Sequence, residues 1–140
     1  MVNQAMKFFP LAAMLLCPLL ATAQLAVTVT PPKVVGQKAV VQLKMKNDLS
    51  EAVKSARAIC FLLDEQGKMV GQSTKWVIGG TKDRLALQPK NGTTFNFVIP
   101  SPQQWTTTNL TAKVLFSPVV LDGGKLADLR HDVVVTSAIK

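Results

Sequence analysis

A two-residue alternation of apolar and polar side chains runs through almost all of the chain after residue 23, and it constrains the fold more than any other feature. In the clearest case Val41, Leu43 and Met45 alternate with polar residues. Successive side chains on a β-strand point to opposite faces, so this pattern is typical of a strand with one buried and one solvated face. No stretch of useful length shows the 3.6-residue period of an amphipathic helix. The sequence therefore predicts an all-β domain.

Turn-forming residues divide the alternating sequence into about seven or eight short strands, a number typical of a sandwich of two antiparallel sheets. The predicted strands lie within residues 25–30, 41–46, 55–63, 68–78, 85–87, 94–99, 110–116 with 119–121, and 133–136. Pro31 and Pro32 end the first strand, and because proline cannot donate to a ladder, this strand is predicted at a sheet edge. Residues 64–67 and Asn91-Gly92 are predicted to form tight turns.

Residues 1–23 have the form of a cleavable signal peptide. Lys7 precedes the uncharged run of residues 8–20, and residues 21–23 form the small-x-small pattern that signal peptidases recognise. We expect cleavage between Ala23 and Gln24, which leaves residues 24–140 as one domain. An uncut membrane anchor is the alternative, but the run is shorter than the roughly 20 residues of a spanning helix and contains two prolines. The mature chain is therefore expected to have no transmembrane span and to work in the periplasm or outside the cell.

The cysteine count and the charge narrow the class of protein further. After residue 23 the only cysteine is Cys60, which excludes an internal disulfide, and its apolar neighbours favour a buried small side chain over a reactive thiol. The full chain carries a net charge of +8, and its basic residues are spread out. A diffuse positive field keeps a secreted protein soluble and can attract anionic envelope polymers. Without a Lys/Arg-rich run, nucleic acid is not expected as a partner.

Three stretches of the sequence give a family resemblance. They are the strand end Lys46-Asn47, the strand and Asp-x-x-Gly-Lys turn of residues 59–68, and Leu87-x-Pro89 ahead of Gly92-Thr93-Thr94-Phe95. The run from Val41 to Phe97 thus resembles the small immunoglobulin-like domains of bacterial secreted and surface proteins, in particular those called FxLYD-type. Leu63 stands where an aromatic residue is usual, and Lys90-Asn91 separate the proline from the glycine. The resemblance implies an immunoglobulin-like β-sandwich that serves as a binding or spacer module, and it brings no catalytic residues.

Residue types suited to catalysis or metal binding are few. A serine hydrolase would need the only histidine, His131, as its base, with Asp128 and Asp132 as the nearest acids, but the chain has no Gly-x-Ser-x-Gly elbow. Zinc sites usually draw on several Cys and His residues, and after residue 23 the chain has one of each. The Asp and Glu residues fall at predicted turns or strand ends, where solvation is the default. We therefore predict no catalytic, metal or cofactor site, and a protein that is not an enzyme.

Two hypotheses about function remain. The first is a non-enzymatic module that binds a protein or cell-envelope component through its loops or a sheet edge, where free backbone groups can pair with a partner strand or with a second copy in a homodimer. Outward basic residues such as Lys44 and Lys46 agree with it. The alternative is binding of carbohydrate or an anionic envelope polymer, in which Trp76 and Trp105 stack on sugar rings and Lys75 meets acidic groups. Burial of both indoles in the core is the competing interpretation.

Overall fold

The computed structural model describes residues 23–101, 105 and 107–138, and within them the fold is built from eight β-strands. The strands are β1 (Leu25–Val29), β2 (Lys33–Val35), β3 (Lys38–Asn47), β4 (Val53–Leu63), β5 (Met69–Ile78), β6 (Gly92–Pro100), β7 (Thr111–Leu121) and β8 (Val133–Ser137). A single 3-10 turn, Asp122–Gly124, follows β7. The predicted all-β fold is confirmed. The predicted strand at residues 85–87 is reduced to one bridge between Leu87 and Val53.

The strands form two sheets whose order is that of an immunoglobulin-like β-sandwich. In the first sheet the order is β8, β1, β3, β6, and β2 continues the line of β1 beside the start of β3. In the second sheet the order is β5, β4, β7. The chain therefore crosses from one sheet to the other four times: between β3 and β4, between β5 and β6, between β6 and β7, and between β7 and β8. As a result β3 pairs with β6 and β4 pairs with β7, as in immunoglobulin-like domains.

β1 is an interior strand, so the prediction that it lies at a sheet edge was wrong. β8 pairs with β1 in parallel, with Leu25 opposite Val133, while β3 pairs with β1 on the other side. Pro31 and Pro32 lie between β1 and β2, and their missing N–H groups fall in a break between two strands. The parallel pairing also departs from the expected purely antiparallel sheets. Neither feature was readable locally, because the partner strand lies at the other end of the sequence.

The core lies between the two sheets and is filled by every second residue of the strands. Val41, Leu43 and Met45, whose alternation predicted β3, are at most 3% exposed. Phe97 on β6 and Leu62 on β4 belong to the same buried cluster. Burying a side chain of this size contributes about 1.5–3 kcal/mol, so the apolar faces of the strands hold the two sheets together.

Cys60 is part of this core, as the sequence predicted. Its side chain is fully buried on β4, and burial raises the pKa of the thiol to about 12. We expect Ellman's reagent to react with Cys60 in the folded protein at least about a thousandfold more slowly than in urea-unfolded protein, because the thiol is exposed only by unfolding. The measurement uses a Cys17→Ser variant, which leaves Cys60 as the one thiol. Equal labelling rates in the two states would contradict burial.

Asn47, at the end of β3, is a fully buried polar residue that joins three segments of the chain. Its side-chain amide donates to the backbone oxygens of Glu51 (3.0 Å) and Leu87 (2.9 Å), and its side-chain oxygen accepts from the N–H of Leu49 (2.9 Å). Its own backbone oxygen accepts from the N–H of Lys90 (2.6 Å). Asn47 therefore ties β3 both to the turn that leads into β4 and to the long connection between β5 and β6.

The two predicted tight turns have different outcomes. Between β4 and β5 the side-chain oxygen of Asp64 accepts from the N–H groups of Gln66 (2.9 Å) and Lys68 (2.8 Å), so this hairpin turn is confirmed. The turn predicted at Asn91-Gly92 lies earlier, because Gly92 already belongs to β6 and the N–H of Asn91 donates to the oxygen of Gln88 (3.1 Å). Pro89 and Lys90 occupy its central positions, and the positive φ of 71° at Lys90 is typical of a type II turn.

Candidate functional site

Trp76 lies on the outer face of the second sheet, on β5, directly opposite Arg57 of β4. The Arg57 guanidinium carbon lies 5.8 Å from the centroid of the Trp76 ring, within cation–π range. The indole also packs against Gly80, where φ is 78° and an added Cβ would overlap the ring. Trp76 is half-buried.

A shallow depression of about 360 Å³ lies beside Trp76. Its lining residues are Arg57, Thr74, Lys75, Trp76, Thr81, Asp83 and Arg84. Three of these side chains are cationic and one is a carboxylate, so the depression has a positive balance and an aromatic wall. Such a surface can take an anionic group or the face of a sugar ring.

Trp105 lies elsewhere and does not join Trp76 in one stacking platform. Its indole packs against the core over Gly71, where an added Cβ would lie 3.4 Å from Cη2 of the ring. Gly71 pairs with Leu62, an inward residue, whereas Trp76 pairs with the outward Arg57, so the two indoles contact opposite faces of β5. The indole Nε1 of Trp105 is buried and has no hydrogen-bond partner among the described residues.

Lys75 lines the depression at the rim of β5. It pairs with Ala58, whose side chain is fully buried, so Lys75 stands on the inner side of an edge strand and is exposed there. Lys75 and Trp76 of the predicted set thus both line the depression, although their register places them on opposite sides of β5, and Trp105 is separate from it. Two lining residues that the sequence did not single out are Arg57, which lies on β4, and Arg84, which lies in the connection after β5.

His131 and Asp128 form a pair that closes the turn at residues 128–132. His131 Nδ1 lies 2.9 Å from Asp128 Oδ2, and the two side chains are 79% and 55% exposed. Asp128 Oδ1 also accepts from the N–H of Arg130 (2.9 Å). The Asp128 carboxylate raises the pKa of His131, and the hydrogen bond from His131 lowers the pKa of Asp128. The pair explains the local turn, and a role as a catalytic base is not needed to account for it.

This pair predicts a titration that depends on Asp128. Because the folded pKa of His131 is raised, its contribution to stability is complete below the ordinary value of 6.5 and is lost as pH rises through the raised value. The contribution of Asp128 has the opposite sign and is lost as pH falls through its lowered pKa. Since the chain has one histidine, NMR titration follows it directly. We expect Asp128→Asn to return the pKa of His131 towards 6.5, while Asp122→Asn leaves it raised; an unchanged value in Asp128→Asn would disprove the pairing.

The predicted cleavage site lies at the start of the folded region. Ala23 is exposed and precedes β1, whereas the backbone oxygen of Gln24 accepts from the N–H of Asp48 (2.9 Å). The Gln24 side chain also donates to the backbone oxygen of His131 (3.1 Å). Residues 1–22, the rest of the predicted signal peptide, lie outside the described residues. Within the described ranges, no helix is long and apolar enough to cross a membrane.

A second surface, which sequence reasoning did not identify, lies between the edges of β7 and β8. We call it the β7 seam; it has a cavity volume of about 270 Å³ and is lined by Val114, Leu115, Phe116, Leu129, Val133 and Val135. Leu115 is 49%, Leu129 41% and Val135 37% exposed, although all three are large apolar side chains. The only local signal was that Leu115 falls on the polar side of its strand alternation. The sequence could not show that β8 leaves β7 to pair with β1.

Comparisons with known proteins find similar solved structures and identify no family. No family model and no curated protein matches the chain. The chain is similar to the CARDB domain of a Pyrococcus furiosus protein, solved in complex with di-metal ions, with 15% identity, a TM-score of 0.39 and coverage of 84% of this chain and 90% of that one. It is also similar to a β-glucuronidase of glycoside hydrolase family 2, with 17% identity, a TM-score of 0.38 and coverage of 79% of this chain and 10% of that one. A third similar structure is a family 2 glycosyl hydrolase from Bacteroides cellulosilyticus, with 17% identity, a TM-score of 0.37 and coverage of 75% of this chain and 14% of that one. The chain thus spans a small part of both glycosidases.

Proposed function

We propose that this chain is a non-enzymatic, extracytoplasmic immunoglobulin-like module that binds a protein or cell-envelope component through an unpaired sheet edge. The observation that carries the proposal is the β7 seam, where exposed Leu115, Leu129 and Val135 line a strand edge. Exposed apolar side chains grouped in this way usually mark an interaction site. Two of the stretches that carry the resemblance support the finer assignment to the FxLYD-type domains. In these stretches the side chains of Asn47 and Asp64 each accept a backbone hydrogen bond that closes a turn.

Retention from an envelope extract tests this proposal. The protein is produced from its complete coding sequence, immobilised, and exposed to an extract of the source cell envelope beside a basic control protein of matched net charge. We expect a defined component to be retained by the module and not by the control, and to resist washing at salt concentrations that remove nonspecific electrostatic contacts. Retention no greater than that of the control would leave the binding function without support.

Cleavage of the signal peptide predicted at residues 1–23 is part of the same proposal. We propose that cleavage after Ala23 releases the module on the far side of the cytoplasmic membrane. The hydrogen bonds of the described fold begin at Gln24, so this cut removes none of them. N-terminal sequencing of the protein from the periplasm or the medium should begin at Gln24. A protein that retains residues 1–23 and stays with the membrane would refute cleavage.

Carbohydrate or anionic-polymer binding is a second candidate, favoured by the depression beside Trp76. Arg57, Lys75 and Arg84 line the depression together with the half-buried indole, and the Arg57 guanidinium lies within cation–π range of it. The test is a titration of the protein with peptidoglycan fragments. NMR follows the two indole N–H signals of the chain, one from each tryptophan. This candidate predicts a shift of the Trp76 signal that is lost in Arg57→Ala, with the buried Trp105 signal unmoved. A titration that leaves Trp76 unchanged would exclude these glycans as ligands of the depression.

A further inference from the structure

The edge of β7 that faces away from β4 is covered at one end and open at the other. Residues 125–127 run back beside the C-terminal end of β7: the N–H of Ala127 donates to the oxygen of Val119 (2.9 Å), and the N–H of Leu121 donates to the oxygen of Lys125 (2.7 Å). The chain then turns at residues 128–132 and enters β8, which pairs with β1 of the other sheet. In the described part of the chain, no strand pairs with the remaining edge, residues 111–117.

The open edge and the β7 seam form one surface. Val114 of β7 and Val135 of β8 lie on the inner sides of their sheets, since they pair with the buried Cys60 and Val27. A strand added to β7 would therefore send every second side chain into the seam between them. Its other side chains would lie on the outer face of the second sheet, beside Lys113 and Leu115. The edge offers hydrogen bonds, and the seam offers apolar contact.

The free edges of β5 and β6 carry features that hinder strand addition. β5 has bulges at Val70 and Val77, and Lys75 stands on its inner side. Bulges and inward-facing charges are features that prevent strand addition. Along β6, the Arg84 guanidinium carbon lies 4.4 Å from the centroid of the Phe95 ring at one end, and Trp105 packs over Gly71 towards the other. The unpaired run of β7 differs from these two edges because it borders the apolar lining of the seam.

We propose that the open edge of β7, residues 111–117, accepts an extended segment of a partner protein that carries apolar residues at alternate positions and an acidic residue beside Lys113. The inference rests on the proposed binding function and names its surface and its partner. Main-chain hydrogen bonds along the edge supply affinity, and the alternating side chains in the seam supply specificity. The seven residues of the edge correspond to an extended length of about 24 Å.

Charge favours such a segment over a second copy of this chain. The full chain carries a net charge of +8, which becomes +7 when cleavage removes Lys7. Two copies would bring like charges together, with Lys113 near the centre of the contact, and this repulsion opposes their association. An acidic segment is instead attracted by the field of the chain.

Two synthetic peptides test the inference against the protein produced from its complete coding sequence. Each has about nine residues, enough to cover the edge, and alternates Val with Thr around a central Glu in one peptide and Lys in the other. We expect the Glu peptide to shift the NMR signals and slow the hydrogen exchange of residues 111–117 and 133–135. We also expect it to bind about five- to tenfold more tightly than the Lys peptide because of Lys113.

Matched variants locate the contact. Val135→Glu places a carboxylate in the seam and should weaken binding of the Glu peptide at least about tenfold, because the charge there is desolvated and unpaired. Val98→Glu is the control, since Val98 is 47% exposed on β6 and faces away from the seam. Lys113→Glu alters an exposed position, leaves the seam intact, and should reverse the preference to the Lys peptide.

The outcomes separate this inference from the proposed function. Peptide signals that map to β5 or β6, or equal affinity in Val135→Glu and the unaltered protein, overturn the assignment to β7 while specific retention from the envelope extract still supports binding. A dimer seen by light scattering with residues 111–117 at its interface replaces the partner segment with a second copy, and so overturns the inference. If neither the peptides nor the extract bind, the proposed function fails together with it.

Discussion

Replacing Asn47 with alanine is expected to lower the free energy of unfolding by roughly 3 kcal/mol, because three side-chain hydrogen bonds are lost in a fully buried place. The N–H of Leu49 and the backbone oxygen of Leu87 lose a partner in a buried place, where water cannot readily replace it. The turn into β4 and the connection before β6 are then no longer held to the same residue. Urea unfolding followed by tryptophan fluorescence measures the change.

Asn96→Ala is the matched control for Asn47→Ala. Asn96 lies on β6 with its side chain exposed, and surface substitutions of this kind usually change stability by less than about 0.5 kcal/mol. Asn47→Asp tests the two donated hydrogen bonds alone, because an ionised carboxylate cannot donate to the backbone oxygens of Glu51 and Leu87 that it would face. This variant should be less stable at neutral than at acidic pH, because burial raises the pKa of that carboxyl group. Similar losses in Asn47→Ala and Asn96→Ala would show that the hydrogen bonds of Asn47 contribute little.

Replacing Gly79 with alanine is the second substitution with a large expected effect, a loss of about 3 kcal/mol or more. Gly79 is buried directly after β5 with φ of 54°, and an added Cβ would overlap the backbone oxygen of Lys54 on β4. That atom belongs to a strand and cannot move without its sheet, so β4 and the start of the connection must separate. A lowered midpoint of thermal unfolding checks the prediction.

Gly67→Ala isolates the part of that loss that comes from close packing. Gly67 also has a positive φ, of 80°, but nothing lies within 4 Å of an added Cβ, so only the backbone strain of about 1 kcal/mol is expected. The difference between the two variants measures the approach of Gly79 to Lys54. Equal losses would mean that the backbones can separate there without cost.

The candidate surfaces were partly readable from the sequence. Trp76 and Lys75 were expected near one another because they are adjacent on a strand, and both line the depression. The carbohydrate hypothesis placed Trp105 with them, whereas Trp105 packs on the core as the competing interpretation had it, because the fold and not the spacing decides which indole reaches the surface. Arg57 and the seam residues Leu129 and Val135 carry no local motif. Their relevance depends on which strands the chain brings together.

By itself, the sequence determined most of the strands, the turn at Asp64 and the all-β class, since side-chain alternation and turn chemistry act between near neighbours. It missed β2 and predicted a strand at residues 85–87, where the structure has one bridge. The tertiary structure alone decided that β8 pairs with β1, so that among the described residues the edge of β7 facing away from β4 has no partner strand over residues 111–117. It also decided that Asn47 holds the distant connection between β5 and β6 and that β1 is interior. Local propensities favour strands without choosing their partners. The choice of partner depends on which arrangement of whole strands buries the apolar faces together, and that is a property of the assembled chain.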